Sequence, residues 1–248
     1  MNEQEIKHPI HIDISMYNSK GVFTPSAYQR MIMGMIEEHL DELKLGEKNL
    51  MEEHGISWVL LSTSIELIRK INPNEKIIGT TWHAGGRIPS YRRDFKFETE
   101  SGELVAVGAT ISTLFENETR KICLNKDKLS VVDLVPLNPI LSSLERKLKV
   151  PSDMELIERR RVRPSMTDGV GHVNNTKYGD FVYDAMTSEE RNSLSNLKRL
   201  DVWFNYELRE GETFEIYKAH GDDSSLCFIG KRSEETRSSF DFKLTYFN

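Results

Sequence analysis

The segment Arg163–Tyr178, RPSMTDGVGHVNNTKY, is the densest group of residues able to do chemistry. It places the carboxylate of Asp168 four residues before the imidazole of His172, among glycines and asparagines. A carboxylate on such a loop can act as a general base or hold a water molecule. Free backbone N–H groups at a helix start after the histidine would favour a developing negative charge. The segment therefore predicts acyl transfer or hydrolysis through an oxyanion.

The same residues also have a purely structural interpretation. Asp, Gly and Asn before a helix are ordinary turn and capping residues, and glycine permits tight backbone geometry. The histidine among them favours a site, but the residue types alone leave both interpretations open.

The elements that must position this segment are predicted from apolar spacing. A helix begins at Thr24-Pro25, because Thr24 can cap it and proline at its first position loses no hydrogen bond. A buried stripe follows at helical spacing until Gly46, a fitting stop, and a second helix begins at the Asn174-Asn175 pair. Strands are predicted at Ser57–Ile68, Lys76–Trp82, Tyr91–Glu98, Leu104–Phe115, Met154–Val162, Leu200–Leu208, Thr213–Ala219, Leu226–Lys231 and Phe240–Phe247.

The order of elements repeats, which predicts an α+β fold in two halves, each a long helix wrapped by an antiparallel sheet. The first half is residues 1–135, a proline-bracketed linker is 136–153, and the second half, with the candidate site, is 154–248. The loop before the first helix, Tyr17–Gly21, has no carboxylate–histidine pair. We therefore expect one active site per chain, in the second half.

Composition narrows the class of protein. The 248 residues carry a formal net charge of −6, which disfavours a nucleic-acid partner. The two cysteines lack metal-ligand spacing, so neither a metal nor a cofactor is expected. The start has no apolar signal core and no apolar run is long enough to span a bilayer. These features predict a cytoplasmic protein without membrane insertion.

The candidate segment resembles the active-site loop and helix start of hotdog-fold thioesterases. Its pattern D-x-x-G-H-V-N-N-x-x-Y is formed by Asp168, Gly171, His172, Val173, Asn174, Asn175 and Tyr178. Over roughly residues 8–247 the chain resembles the bacterial and plant acyl-acyl carrier protein thioesterases. The segments that carry this resemblance are Trp58–Leu60, Thr81-Trp82, Gly85-Gly86, Tyr91–Phe95, Thr119-Arg120 and Phe204–Glu207, in that order.

The resemblance implies a tandem (double) hotdog fold and hydrolysis of the thioester between a fatty acyl chain and acyl carrier protein. Asp168, His172 and Glu207 fall on the family's catalytic positions, with Glu207 in the strand after the helix. Glu207 would activate or hold water, His172 would position the thioester or pass a proton, and Asp168 would orient His172 or the thioester. The chain departs from the plant members at Val170, where they usually have asparagine, although other hotdog thioesterases lack it too.

Three alternatives stay open at this level. An acyl-CoA thioesterase would use the same chemistry on another carrier. A non-catalytic acyl-binding hotdog protein would predict the loss of Asp168, His172 or Glu207, and all three are present. A hotdog dehydratase is disfavoured by the HVNN arrangement and the tandem layout. Acyl chain length and association into a homodimer through exposed sheet edges are left open by the sequence.

Overall fold

The structure is a computed structural model that describes residues 5–221, 223–233 and 235–247. The termini of the two predicted halves, residues 1–4 and 248, lie outside the described residues. The strands are β1 (Glu5–Ile10), β2 (Ile56–Leu67), β3 (Ile77–His83), β4 (Ser90–Thr99), β5 (Leu104–Glu116), β6 (Lys121–Ile122), β7 (Glu155–Arg161), β8 (Leu197–Phe204), β9 (Thr213–His220), β10 (Leu226–Arg232) and β11 (Phe240–Tyr246). The helices are α1 (Pro25–Glu42), α2 (Glu47–Asn49, continued by a wide turn at Leu50–His54), α3 (Lys126–Leu129), α4 (Lys177–Ala185) and α5 (Ser188–Ser193), with short 3-10 turns at Ile14–Met16, Pro164–Met166 and Leu194–Asn196.

The chain divides into two compact units whose segments interleave along the sequence. The first unit covers Met1–His11, Met31–Thr63 and Lys76–Leu144. Its strands follow the order β1-β3-β4-β5-β2, and β6 pairs with β5. The strand pairs β1–β3, β3–β4 and β4–β5 are antiparallel.

The second unit covers Ile12–Arg30, Ser64–Glu75 and Glu145–Asn248, and it contains the candidate segment. Its sheet follows the order β8-β11-β10-β9-β7, with antiparallel pairing throughout. An aromatic cluster fixes α4 against this sheet: the ring centroids of Tyr178 and Phe240 lie 4.7 Å apart, and those of Phe181 and Phe214 lie 5.0 Å apart. All four side chains are buried, so the position of the helix is set by packing.

Most predicted elements are confirmed. The first helix begins at Pro25, and Thr24 caps it by accepting a hydrogen bond from the Ala27 N–H at 3.3 Å. It ends at Glu42, before the predicted stop at Gly46, because Lys44 adopts a left-handed conformation with φ +59°. Residues 131–153 contain no helix or strand among those described. The contiguous division into 1–135, 136–153 and 154–248 stays a prediction.

Two predicted boundaries near the candidate site are wrong. The second helix begins at Lys177 and not at Asn174-Asn175, because Asn174 first closes a turn with its side chain and carbonyl. The strand predicted at Leu200–Leu208 ends at Phe204. Glu207 therefore lies on the loop beyond this strand and not within it.

Candidate active site

The candidate segment folds into a tight loop between β7 and α4. Thr167 and Val173 form an antiparallel bridge across the loop, and the Asp168 N–H donates to the His172 carbonyl at 2.9 Å. Gly171 turns the chain with φ +82°, a conformation that strains any residue with a Cβ. This turn places His172 directly after the reversal, on the side that faces the chain beyond β8.

His172 and Glu207 are in direct contact. His172 Nε2 lies 3.1 Å from Glu207 Oε2, and the same oxygen lies 3.5 Å from Nη2 of Arg209. The backbone enforces this contact, since His172 bridges to Arg209 and the Val173 N–H donates to the Leu208 carbonyl at 2.8 Å. The pair therefore depends on a backbone ladder between two segments that are distant in sequence.

The loop that carries Glu207 is anchored where β8 ends. The N–H groups of Asn205 and Tyr206 both donate to the Ser239 carbonyl, at 2.8 and 3.1 Å. The Asn205 amide also donates to Asp241 Oδ2 at 2.9 Å. These bonds take the chain away from regular strand pairing, which explains why the expected strand ends before Glu207.

Asp168 is exposed, and its carboxylate is used by its own loop. Asp168 Oδ1 accepts a hydrogen bond from the Val170 N–H at 3.1 Å. The ion pairs described in this segment instead join His172 and Arg209 to Glu207. Of the three predicted residues, His172 and Glu207 are in direct contact. Asp168 lies on the same loop as His172 and is separate from this contact.

Tyr178 is a buried residue of α4 that interacts with the segment around Glu207. Burial raises the pKa of its hydroxyl, a hydrogen bond with the backbone of Leu208 opposes that shift, and the charges of Glu207 and Asp168 add to it. The hydroxyl therefore stays protonated and supports the segment next to Glu207. The sequence motif contains Tyr178 but indicates no catalytic role for it. A supporting role next to Glu207 follows only from its tertiary contact with Leu208.

The turn before α4 contains a candidate backbone donor for the oxyanion. Thr176 N–H is bound by Asn174 Oδ1 at 3.0 Å, Lys177 N–H by the Asn174 carbonyl at 2.9 Å, and Asn174 N–H by the Met166 carbonyl at 3.0 Å. The N–H of Asn175 has no hydrogen-bond acceptor among the described residues. The sequence predicts free backbone N–H groups at this helix start. Within the Asn174–Lys177 turn, the N–H group that has no acceptor among the described residues is that of Asn175.

The loop before α1 repeats this geometry with different chemistry. Asn18 N–H donates to the Val22 carbonyl, and Asn18 Oδ1 accepts from the Lys20 N–H, at 2.9 Å each. Gly21 has φ +71°, and Tyr17 bridges to Phe23. Asn18 thus corresponds to Asp168 and Val22 to His172. An amide and an apolar side chain therefore occupy the positions that hold the carboxylate and the imidazole in the other loop.

Two further features, a metal-binding cluster and a membrane-spanning helix, are absent from the described residues. They contain no group of three or more histidine, cysteine, aspartate or glutamate side chains placed to hold a metal ion. They also contain no helix that is both long and apolar enough to cross a membrane.

Comparison with known proteins identifies the family to which the chain belongs. The family model for the acyl-ACP thioesterase N-terminal domain matches residues 6–130, and that for the C-terminal domain matches residues 151–246. No curated protein matches the chain at the sequence level.

Solved structures share the whole architecture. An acyl-ACP thioesterase from Bacteroides thetaiotaomicron is 18% identical, with 100% of both chains covered and a TM-score of 0.87. The 12:0-ACP thioesterase from Umbellularia californica is 14% identical over 98% of this chain and 97% of that one, with a TM-score of 0.84. A MaoC-like dehydratase from Phytophthora capsici is 12% identical over 100% and 97%, with a TM-score of 0.60.

These similarities identify the α+β architecture as a tandem hotdog fold. Both family models together span most of the chain, including the loop, α4 and Glu207. The chain therefore belongs to the acyl-acyl carrier protein thioesterase family and is a thioester hydrolase that releases fatty acids from acyl carrier protein.

Proposed function

We propose that Glu207 and His172 form the centre of the hydrolytic site, with Glu207 holding the attacking water. The observation that carries this proposal is the 3.1 Å contact between His172 Nε2 and Glu207 Oε2. About a third of the Glu207 side chain, 35%, is exposed, so water can reach the carboxylate, whereas only 15% of His172 is exposed. A carboxylate held in this way can accept a proton from water as the water attacks.

The remaining groups complete the reaction. The water oxygen attacks the thioester carbonyl carbon while its proton passes to Glu207. The negative charge that develops on the carbonyl oxygen is stabilised by the Asn175 N–H, a donor that needs no reorganisation at the moment of reaction. The carbon–sulfur bond then breaks, and the leaving thiolate takes the proton through His172. The products are a free fatty acid and the thiol of the carrier's pantetheine arm.

Asp168 has the role of a second carboxylate in this proposal. Its exposed position on the same loop suits it to orient the thioester rather than His172. The negative charges of Asp168 and Glu207 both raise the pKa of the Tyr178 hydroxyl. This shared effect supports a position of both carboxylates near the start of α4.

Three substitutions test these roles, and two of them copy the loop before α1. Asp168→Asn and His172→Val introduce the residues that already occupy the same turn at Asn18 and Val22, so the loop should keep its fold. Glu207→Gln preserves the shape of the side chain. We expect each variant to release thiol from acyl carrier protein about 10² to 10⁴ times more slowly than the wild type. A folded variant with a wild-type rate would remove that residue from the mechanism.

Docking of the carrier is proposed to use the arginines at the end of β7. Arg159 Nη2 forms an ion pair with Glu215 Oε1 at 2.5 Å. Arg161 and Arg163 are exposed and have no acidic partner among the described residues. Unpaired surface arginines suit an acidic carrier even though the chain is net negative. Arg161→Glu with Arg163→Glu should raise KM for acyl carrier protein and leave KM for acyl-CoA unchanged.

The control for this docking test is a pair with the same change in charge. Lys121→Glu with Lys126→Glu alters two exposed lysines of the first unit. An equal rise in KM for both carriers in the arginine variant, or the same rise in the lysine variant, would reject docking at this surface.

Compartment and assembly are also part of the proposal. Both cysteines, Cys123 and Cys227, are free and buried, which supports a reducing, cytoplasmic location. A homodimer would form through β1, since β1 ends the strand order of the first unit and leaves one sheet edge for pairing. Light scattering should give twice 28.7 kDa, and a mass of 28.7 kDa would reject the dimer.

A further inference from the structure

A buried amide on α1 contacts the candidate site. Gln29 lies in the first turns of α1 and is only 2% exposed. Its Nε2 donates to the backbone carbonyl of Asn175 at 3.0 Å. Within the described chain, its Oε1 has no hydrogen-bond partner. Since buried polar groups are normally paired on every side, a glutamine kept here with one atom unpaired calls for an explanation.

Close packing holds this amide in place. Gly179 of α4 faces it, and a Cβ added at Gly179 would lie 2.3 Å from Gln29 Oε1 and 2.6 Å from the Ser26 nitrogen. The backbone of α4 therefore touches the first turn of α1. Exchanging the amide oxygen and nitrogen would set two carbonyl oxygens against each other, so the nitrogen must be the atom that faces Asn175.

Asn175, in the turn before α4, is the residue whose N–H has no acceptor among the residues that the structure describes. On one side, the N–H of Asn174 is bound by the Met166 carbonyl at 3.0 Å. On the other side, the carbonyl of Asn175 is bound by Gln29. The two bonds fix the backbone before and after the Asn175 N–H, and the second comes from a different helix.

We infer that Gln29 is a positioning residue of the hydrolytic site, which holds Asn175 so that its N–H stays in the orientation that the oxyanion needs. This inference rests on the oxyanion role proposed above for Asn175. Gln29 contacts the backbone through its side chain and does not itself touch the reacting atoms.

The internal repeat explains how this arrangement arises. Since Asn18 and Val22 correspond to Asp168 and His172, Tyr28 corresponds to Tyr178 and Gln29 to Gly179. The two corresponding positions carry side chains of complementary size. Gly179 on α4 has no side chain, and Gln29 on α1 occupies the space beside it. The copy without a carboxylate–histidine pair thus contributes a side chain to the copy that has one.

Gln29→Met tests the inference, because methionine keeps the length and flexibility of the side chain but cannot donate a hydrogen bond. We expect kcat for acyl carrier protein substrates to fall about 10- to 100-fold while KM is unchanged, as for a small misplacement of a catalytic group. In an ¹⁵N-labelled sample, the amide signals of Asn175 and Thr176 should move. Ile32→Val, another buried change on α1, is the control for lost stability and should alter neither kcat nor these signals.

The outcomes separate this inference from the proposed function. A fall in kcat together with moved amide signals supports Gln29 as a positioning residue. Unchanged kcat with unmoved signals overturns the role of Gln29 and leaves the proposed site intact. Unchanged kcat with moved signals overturns the inference by rejecting Asn175 as the oxyanion donor. A fall in kcat with unmoved signals, or an equal fall in Ile32→Val, overturns it in favour of a general loss of structure.

Discussion

At the scale of single residues, the site depends on hydrogen bonds between segments far apart in the sequence. His172 meets Glu207 because the Val173 N–H donates to the Leu208 carbonyl, and the Tyr178 hydroxyl interacts with the backbone of the same Leu208. A shift of this segment would separate the imidazole from the carboxylate without altering either side chain. Residues that never touch the substrate should therefore affect the rate.

Tyr178→Phe tests this dependence. Loss of the hydroxyl removes its hydrogen bond with the Leu208 backbone, which should lower the free energy of unfolding by about 1 kcal/mol and reduce kcat. Tyr28→Phe changes the corresponding buried tyrosine of the other loop and is the matched control. Denaturant unfolding and thiol release measure both quantities. A loss of kcat as large in Tyr28→Phe would contradict a specific role for Tyr178.

The sequence predicted some of these residues and missed others for physical reasons. Asp168 and His172 stand out because a carboxylate and an imidazole share one glycine-containing loop. Glu207 was found through the family resemblance alone, since nothing in the local pattern around it signals a site. Gln29 and the Asn175 N–H were missed, because a contact between two helices leaves no trace in local spacing.

At the scale of elements, the close approach of α4 to the first turn of α1 holds the site together. Gly179→Ala should destabilise the protein by about 1–3 kcal/mol, because the new methyl group would collide with Gln29 and the Ser26 backbone. Gly34→Ala is the matched control, since Gly34 lies in α1 with nothing within 4 Å of its added Cβ. That control should stabilise the helix by about 0.5–1 kcal/mol. Equal unfolding free energies for both variants would contradict the packing argument.

The helix after α4 gives a pH-dependent prediction. Partial burial raises the pKa of Glu190, but hydrogen bonds from Lys218 and Thr187 outweigh it, so its pKa is lowered overall. A lowered pKa in the folded state means that the stabilisation is complete above the unfolded value, about 4.3, and is lost as the pH falls through the folded value. Glu190→Gln should thus cost about 1 kcal/mol at pH 7 and less near pH 4. Thermal unfolding at both pH values measures this, and a constant difference would reject it.

The elements themselves were mostly predictable from sequence, and their ends near the site were not. Alternation and β-branched residues locate the strands because those patterns follow directly from burial on one face. The end of β8 at Phe204 depends on hydrogen bonds from Asn205 and Tyr206 to Ser239, which belongs to a distant strand. The late start of α4 depends on the Asn174 side chain, which competes with the helix for backbone donors.

At the scale of the whole molecule, the chain is a repeat of two loops, of which we propose that only the one before α4 carries the chemistry. The two loops share their turn, their bridge and their side-chain cap, yet asparagine and valine stand in one where aspartate and histidine stand in the other. The repeated order of elements was visible in the sequence, but residue identity barely repeats. The correspondence between the loops needed the backbone geometry to establish it.

We propose that the loop before α4, together with Glu207, carries the hydrolysis. The most direct measurement is thiol release from acyl carrier protein by the double variant Asp168→Asn with His172→Val, which gives both loops the same key residues. We expect this variant to unfold at nearly the wild-type temperature and to release thiol at least about 10² times more slowly than the wild type. Release at the wild-type rate by this folded variant would contradict it.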